Sequence, residues 1–417
     1  MEDIRIAKVD ILIQQKKYAE AERILKDLLA TDANNLHYLA LLAEINLQQD
    51  KLDAAKSIIN SAIGMSPDAS MLFSIRARIF LQEEDYKQAE SDIRQAIALD
   101  AYEAGYFAIL AHVRLARKDY EEALTFANKA LEIDSENLLA LNTRSTALLK
   151  LNRSEESFDT IEGALREDPN DAYTHANYGW GLLEKGHHKK ALEHFREALK
   201  NDPNFEYAQA GMMEALKASN PVYRLFLKYA FWMGNLTSKY QWGVIIGFYF
   251  GTKFLRKAAE SNPGLQPFLV PLIILLSLVA FSTWIIEPIS NLFLRFNRYG
   301  QFLLSKQEKM SSNFVAVSLL VCFTGIVLYF IQGQDEFLAV GAYGLGMMVP
   351  LSAMFSHTKK KNILLIYAIA MGVVGALAVL GSLASGELFN SFSVIFLFGF
   401  IAFQWIANYM VIEGKKR

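Results

Sequence analysis

Residues 86–119 read YKQAESDIRQAIALDAYEAGYFAILAHVRLARKD, and residues 120–153 read YEEALTFANKALEIDSENLLALNTRSTALLKLNR. Laid one above the other, they match at Tyr86 and Tyr120, at Ala89 and Ala123, and at Ala96 and Ala130. The same 34-residue period extends in both directions without insertion or deletion. Its most regular position is Ala21, Ala55, Ala89, Ala123, Ser157 and Ala191. Seven residues later come Leu28, Ala62, Ala96, Ala130, Ala164 and Ala198. Five further on stand Ala33, Pro67, Ala101, Ser135, Pro169 and Pro203, and upstream lie Val9, Ala43, Ala77, Ala111, Ser145 and Gly179. Small residues at fixed phases are what close helix crossings require, because a large side chain would force the axes apart. Tyr18, Tyr86 and Tyr120 open the second helix of their repeats, and the prolines follow its end, where a missing N–H costs nothing.

Six helix-turn-helix copies of this length resemble the tetratricopeptide repeat. The resemblance implies an all-α chain whose residues 1–219 form a solenoid, closed by a capping helix at Phe205–Lys217. Val9 and Leu28 depart from the small phases in the first repeat, as a terminal copy can. Ser154 and Ser157 depart in the fifth, which predicts looser packing there. In the family, the first helix of each repeat lines a concave groove that binds peptides. Carried onto this chain, the groove phases fall on His37, Glu44, Arg78, His112, Asn142, Thr146, Tyr173 and Trp180. The Lys/Asn and Lys/Arg pairs with which some members grip a C-terminal carboxylate are replaced here by residues such as Ile6, Asp10, Ala40 and Glu44. Tyr173 and Trp180 are therefore the candidate aromatic anchors. The competing expectation is that Trp180 packs on the capping helix.

The net charge of −2 conceals an asymmetry. Residues 1–219 hold 26 Lys+Arg and 37 Asp+Glu, a balance of −11. The remaining residues hold 16 and 7, a balance of +9. An acidic solenoid is a poor nucleic-acid ligand, so no nucleic-acid partner is expected; the resemblance implies a protein or peptide partner. One cysteine, Cys322, rules out an internal disulfide and a cysteine-rich zinc site. His175, His187, His188 and His194 gather in the sixth repeat, but adjacent turn histidines need not converge, so no metal is expected. The chain carries no GxSxG, HExxH or glycine-rich phosphate loop, and Glu287 has no visible acid, base or metal partner. No enzymatic activity and no cofactor are expected.

From about residue 266 the composition becomes that of a membrane protein. Uncharged runs cover Pro267–Ile286, Phe314–Ile331, Phe337–Phe355, Ile363–Leu383 and Leu388–Ile412, each near the length that crosses a hydrocarbon core. Trp242–Thr252 is a shorter run, counted as a sixth span if Lys239 and Lys253 snorkel. Residues 220–239 form an aromatic, basic linker, and 240–417 the helical membrane domain. Ile289–Leu304 is expected to lie along the interface as an amphipathic helix, with Arg295 and Arg298 near lipid phosphates. Small residues at Ala342/Gly346 and Ala368/Gly372/Ala376 suit helix contacts in a bilayer, and Trp284 and Trp405 suit its interfaces. Asn390, Gln404 and Asn408 are the strongly polar residues of the last run, able to bond between helices or to line a path.

Loops with Arg295, Arg298, Lys306, Lys309 and 359–361 alternate with loops carrying Asp335, Glu336 and Glu387. By the positive-inside rule the first set faces the cytoplasm. With six spans and no leader at Met1–Asp10, the repeats and the carboxyl terminus are expected in the cytoplasm; with five, the repeats would have to be exported. The whole resembles tetratricopeptide-repeat integral membrane proteins of bacteria, anchored in the cell membrane. The function expected is a membrane-anchored interaction scaffold. The alternative is a transporter or channel subunit whose repeats recruit a soluble partner.

Overall fold

A computed structural model describes residues 2–296, 300–355 and 362–415. All regular structure among them is α-helical. Internal contacts divide the chain into two compact units, residues 1–182 with 193–208, and residues 183–192 with 209–417.

The repeats are successive helix pairs. Glu2–Gln14 and Tyr18–Leu29 (α1, α2) form the first, Leu36–Gln48 and Leu52–Met65 (α3, α4) the second, and Ser70–Gln82 and Tyr86–Leu99 (α5, α6) the third. Ala104–Ala116 and Tyr120–Ile133 (α7, α8), Leu138–Lys150 and Ser154–Glu167 (α9, α10), and Ala172–Glu184 and His188–Asn201 (α11, α12) follow, then α13 at Glu206–Lys217. Helices α3, α9 and α11 begin where a polar side chain accepts from a free backbone N–H, whereas α5 begins at Ala69 without a side-chain cap. Asn35 accepts from Tyr38 N at 3.2 Å, Asn137 from Ala140 N at 3.0 Å and Asp171 from Thr174 N at 2.7 Å. Between the two helices of each repeat the chain turns through one left-handed residue: Lys16, Asp50, Glu84, Lys118, Asn152 and Gly186. Their φ angles run from 58° at Lys16 to 86° at Gly186, and they too are 34 residues apart.

The small phases are the seam. Ala21, Ala55, Ala89, Ala123 and Ala191 are wholly buried, as are Ala62, Ala96, Ala130, Ala164 and Ala198. Val9 and Leu28 are equally buried, so the first repeat fills its seam with larger side chains. In the fifth repeat Ser157 meets Ser145, the serine at the small phase of the first helix. Ser145 and Ser157 Oγ lie 3.0 Å apart, and Ser157 Oγ donates to the Ser145 carbonyl at 2.8 Å. The expected looseness is replaced by a hydrogen bond. In the sixth, a Cβ on Gly179 would lie 2.7 Å from Phe195 Cε1, so glycine makes room for the one phenylalanine at that core position.

The second unit continues with Pro221–Asn235 (α14), Ser238–Ser261 (α15), Gln266–Phe296 (α16), Gly300–Leu303 (α17), Lys306–Gln332 (α18), Glu336–Ala353 (α19), Ile363–Ser385 (α20) and Ser391–Lys415 (α21). Three of these, α18, α19 and α20, are long and apolar enough to cross a membrane. Helices α16 and α21 contribute shorter apolar stretches, Gln266–Ser277 and Ser391–Ala407. Among the described residues, three helices meet the length and composition of a crossing, and the other expected spans fall partly on residues outside them. Ile289–Phe296 does not start a separate interfacial helix. It continues α16 through Pro288, and residues 297–299 lie outside the described residues.

Helices α18 to α21 pack in chain order. A Cβ on Gly325 would sit 2.3 Å from Gly341 N, and one on Gly344 2.3 Å from Cys322 N, so α18 and α19 touch backbone to backbone. Ser318 Oγ donates to the Gly344 carbonyl across that contact at 2.6 Å. Gly346, expected at a helix crossing, faces the Phe396 ring on α21. Tyr343 fills the space left by Gly375 and donates to the Gly372 carbonyl at 3.2 Å.

Candidate functional site

A 34-residue period places equivalent first-helix residues side by side, so one phase forms one stripe. Two stripes matter here. Glu44, Arg78, His112, Thr146 and Trp180 make one, and His37, Met71, Gly105, Leu139 and Tyr173 the other. They flank a pocket of about 630 Å³ to which α3, α5, α7, α9 and α11 all contribute.

Of the eight expected groove residues, Arg78, His112 and Tyr173 line this pocket. Glu44 stands behind Arg78 and holds it by two hydrogen bonds, from Nη1 at 2.7 Å and Nη2 at 2.9 Å. The guanidinium is therefore paired within the groove. Asn142 is buried and ties α9 to α11, donating to Thr174 Oγ1 at 2.7 Å and accepting from Asn177 Nδ2 at 3.0 Å. The Thr146 hydroxyl lies 3.1 Å from Asn177 Oδ1 in the same network. Trp180 donates from Nε1 to the Tyr207 carbonyl at 3.2 Å, with its ring 5.7 Å from those of Phe195 and Tyr207. It packs on the start of α13, the competing expectation for this residue. His37 is exposed at the first turn of α3, beside Tyr38, and is not part of the pocket lining.

His112 is the unusual member. Its Nδ1 is buried with no hydrogen-bond partner among the described residues, and burial lowers the imidazole pKa below the ordinary histidine value. Tyr173 remains 38 % exposed, yet protein surrounds it inside the groove. That enclosure raises its phenol pKa, with Asp171 adding to the effect. Its ring stacks on Tyr207 at 6.2 Å.

The rest of the lining was not anticipated from sequence. Leu47, Leu81, Ile109 and Leu139 supply apolar wall, and Gln48, Gln82 and Asn137 polar edge. Gly105 and Leu139 continue the stripe of His37 and Tyr173, so carrying that phase through every repeat finds them. Leu47 and Leu81 lie three residues after Glu44 and Arg78 and follow by the same device.

The four histidines do not assemble. His175 Nε2 lies 3.1 Å from the Pro169 carbonyl and must carry the proton, so its Nδ1 accepts from His194 Nδ1 at 3.1 Å. Among the described residues no three His, Cys, Asp or Glu side chains converge as metal ligands. In the second unit, Arg295 donates to the Lys309 carbonyl at 3.0 Å and to Asn313, which joins α16 to α18. Arg298, and the side chains of Glu287, Gln404 and Asn408, lie outside the described residues. Asn390 donates to the Ala378 carbonyl at 2.8 Å and accepts from Ser393 N at 3.1 Å, so it bonds α20 to α21 and caps the latter.

Tetratricopeptide-repeat family models match residues 12–79, 76–137 and 172–205. The chain carries tetratricopeptide repeats in these residues. Comparison with curated protein sequences gives no match. Among solved structures, the chain is similar to YrrB, described as a tetratricopeptide protein with an unusual peptide-binding site. The identity is 18 % over 45 % of this chain and 96 % of that one, with a TM-score of 0.31. A tetratricopeptide-repeat protein from Parabacteroides merdae is 17 % identical over 50 % and 81 %, with a TM-score of 0.44. A thermophilic tetratricopeptide-repeat protein from Thermus thermophilus is 16 % identical over 43 % and 98 %, with a TM-score of 0.41. As a class, tetratricopeptide repeats are protein-interaction scaffolds, and this chain carries their architecture.

Proposed function

We propose that this chain is a membrane-anchored scaffold whose tetratricopeptide groove binds an extended segment of a partner protein. The observation that carries the reading is the pocket of about 630 Å³ built from five first helices, in which Arg78, His112 and Tyr173 converge. Its size is that of a ligand site, and a concave surface spanning several repeats suits an extended peptide. Anchoring rests on α18, α19 and α20, each long and apolar enough to cross a bilayer. Their contact through Gly325, Gly341 and Gly344 is of the kind that packs membrane helices. The cavity among α19, α20 and α21, about 330 Å³, is walled by residues such as Leu338, Ala342, Val379 and Phe400. An apolar wall of this kind supports an anchor over a polar substrate path.

The test is capture of crosslinked partners from solubilised membranes by the full chain and by a chain lacking residues 1–217. Partners lost on deletion are expected. Partners that remain bound to the truncated chain would move recognition to the helical unit and sink the proposal.

A further inference from the structure

The pocket's charges and hydrogen-bonding groups are spoken for in a particular way. Arg78 is the one charged residue among the lining, and its fork is closed by Glu44. Gln48 donates from Nε2 to Glu44 Oε1 at 2.9 Å, and Gln82 from Nε2 to Asp50 Oδ1 at 2.9 Å. Because a carboxylate only accepts, both amide orientations are forced, and Oε1 of each glutamine is left as an acceptor. His112 supplies the complement. A buried lone pair on Nδ1 costs less than a buried N–H without an acceptor, so the proton of the neutral ring sits on Nε2. Nε2, unlike Nδ1, is not among the fully buried unpartnered atoms, and the ring belongs to the pocket lining.

The shape is set by Gly105. Its stripe carries His37, Met71, Leu139 and Tyr173 in the other repeats, and only here is there no side chain. The opening is walled by Leu81, Ile109 and Leu139. We infer that this pocket selects an uncharged, extended peptide segment, seating an aliphatic side chain over Gly105 while a backbone carbonyl accepts from His112 Nε2–H. The inference rests on the groove reading above and narrows it. A charged group seated among Leu81, Ile109 and Leu139 would lose its hydration, Arg78 is already paired with Glu44, and the exposed Glu103 carboxylate beside Gly105 is engaged in accepting from Gly105 N. A terminal carboxylate is disfavoured on the same ground.

The probe is a capped heptapeptide of alanine and glutamine with a central leucine, labelled with a fluorophore and titrated with the full chain in lipid nanodiscs at pH 7.5. Anisotropy gives the affinity. Counterparts carry a central lysine, a central glutamate, or a free carboxyl end. The neutral capped peptide is expected to bind, and either central charge to weaken it by about tenfold or more, roughly 1.4 kcal/mol. The free carboxyl end is expected to bring no gain. Gly105→Leu should fill the seat and abolish binding. The Cβ there would lie 3.1 Å from Oε1 of Glu103, which caps α7 by accepting from Gly105 N, so a melting curve is recorded beside the titration to show that the fold is retained. His112→Leu should weaken binding, whereas His112→Gln, which keeps a donor, should retain most of it. A charged peptide that binds as well as the neutral one overturns the inference, as does a stable Gly105→Leu chain with unchanged affinity. Absence of any neutral-peptide binding also overturns it. Should partner capture then still depend on residues 1–217, the groove reading survives and only its specificity falls.

Discussion

Ser157 stands where the other five repeats carry alanine, and Ser145 at a phase otherwise filled by valine, alanine or glycine. Both are buried, and a lone hydroxyl there would cost the desolvation of an unmet polar group. Together they satisfy each other at 3.0 Å. Ser157→Ala alone should therefore destabilise the solenoid by about 1 kcal/mol, by leaving Ser145 without that partner. Adding Ser145→Ala should recover most of the loss, since the pair then matches the other repeats. Thermal melts of the four chains form a double-mutant cycle, and strict additivity would show that the serines act independently. His112 gives a pH signature. Its folded pKa lies below the unfolded value of about 6.5. As pH falls through that value the unfolded chain takes up a proton that the folded imidazole refuses, so stability drops until the folded pKa is reached. The fall in melting temperature from pH 7.5 to 5.5 should be smaller in His112→Gln. An identical fall in both chains would mean that the imidazole is not held neutral.

The inter-helix turns show how an element is specified by a residue that does not look special. Lys16, Asp50, Glu84, Lys118 and Asn152 all take a left-handed conformation that costs a residue with a Cβ about 1–2 kcal/mol, and only the sixth repeat uses glycine. Gly186→Ala should therefore destabilise by about 1 kcal/mol, and Glu84→Gly should be neutral or stabilising. Calorimetric melts decide, and an unaffected Gly186→Ala chain would mean that the turn can relax out of its left-handed form. Alanine phases are legible in sequence because packing at a crossing tolerates few residue types. The turn phase was not legible, because the backbone conformation is imposed by the helices on either side and five of the six residues are ordinary. The site shows the same division. Arg78, His112 and Tyr173 could be placed by phase alone. The pairing of Arg78 with Glu44, and the withdrawal of Asn142, Thr146 and Trp180 into contacts with other repeats or the capping helix, depend on side chains meeting across separate helices.

At the scale of the whole molecule, the chain joins an acidic repeat half to a basic, apolar half. Three successive helices of crossing length, α18, α19 and α20, must alternate in direction if each spans a membrane. The ends at Lys306, Ala353 and Ile363 then share one side, and Asp335 and Glu387 share the other. Lys306, Lys309 and the lysines at 359–361 all fall on the first side, the one the positive-inside rule assigns to the cytoplasm. A groove that recruits a cytoplasmic partner must lie on that side as well. Single cysteines at Tyr102, Lys306, Asp335 and Glu387, all exposed, test this in a chain where Cys322 is replaced by alanine. An impermeant maleimide added to intact cells should label Asp335→Cys and Glu387→Cys, and should reach Tyr102→Cys and Lys306→Cys only after lysis. Labelling of Tyr102→Cys in intact cells together with a protected Lys306→Cys would place the repeats across the membrane from the basic loops. The number of crossings before α18 would then be odd instead of even, and the groove's partner would have to be sought outside the cell.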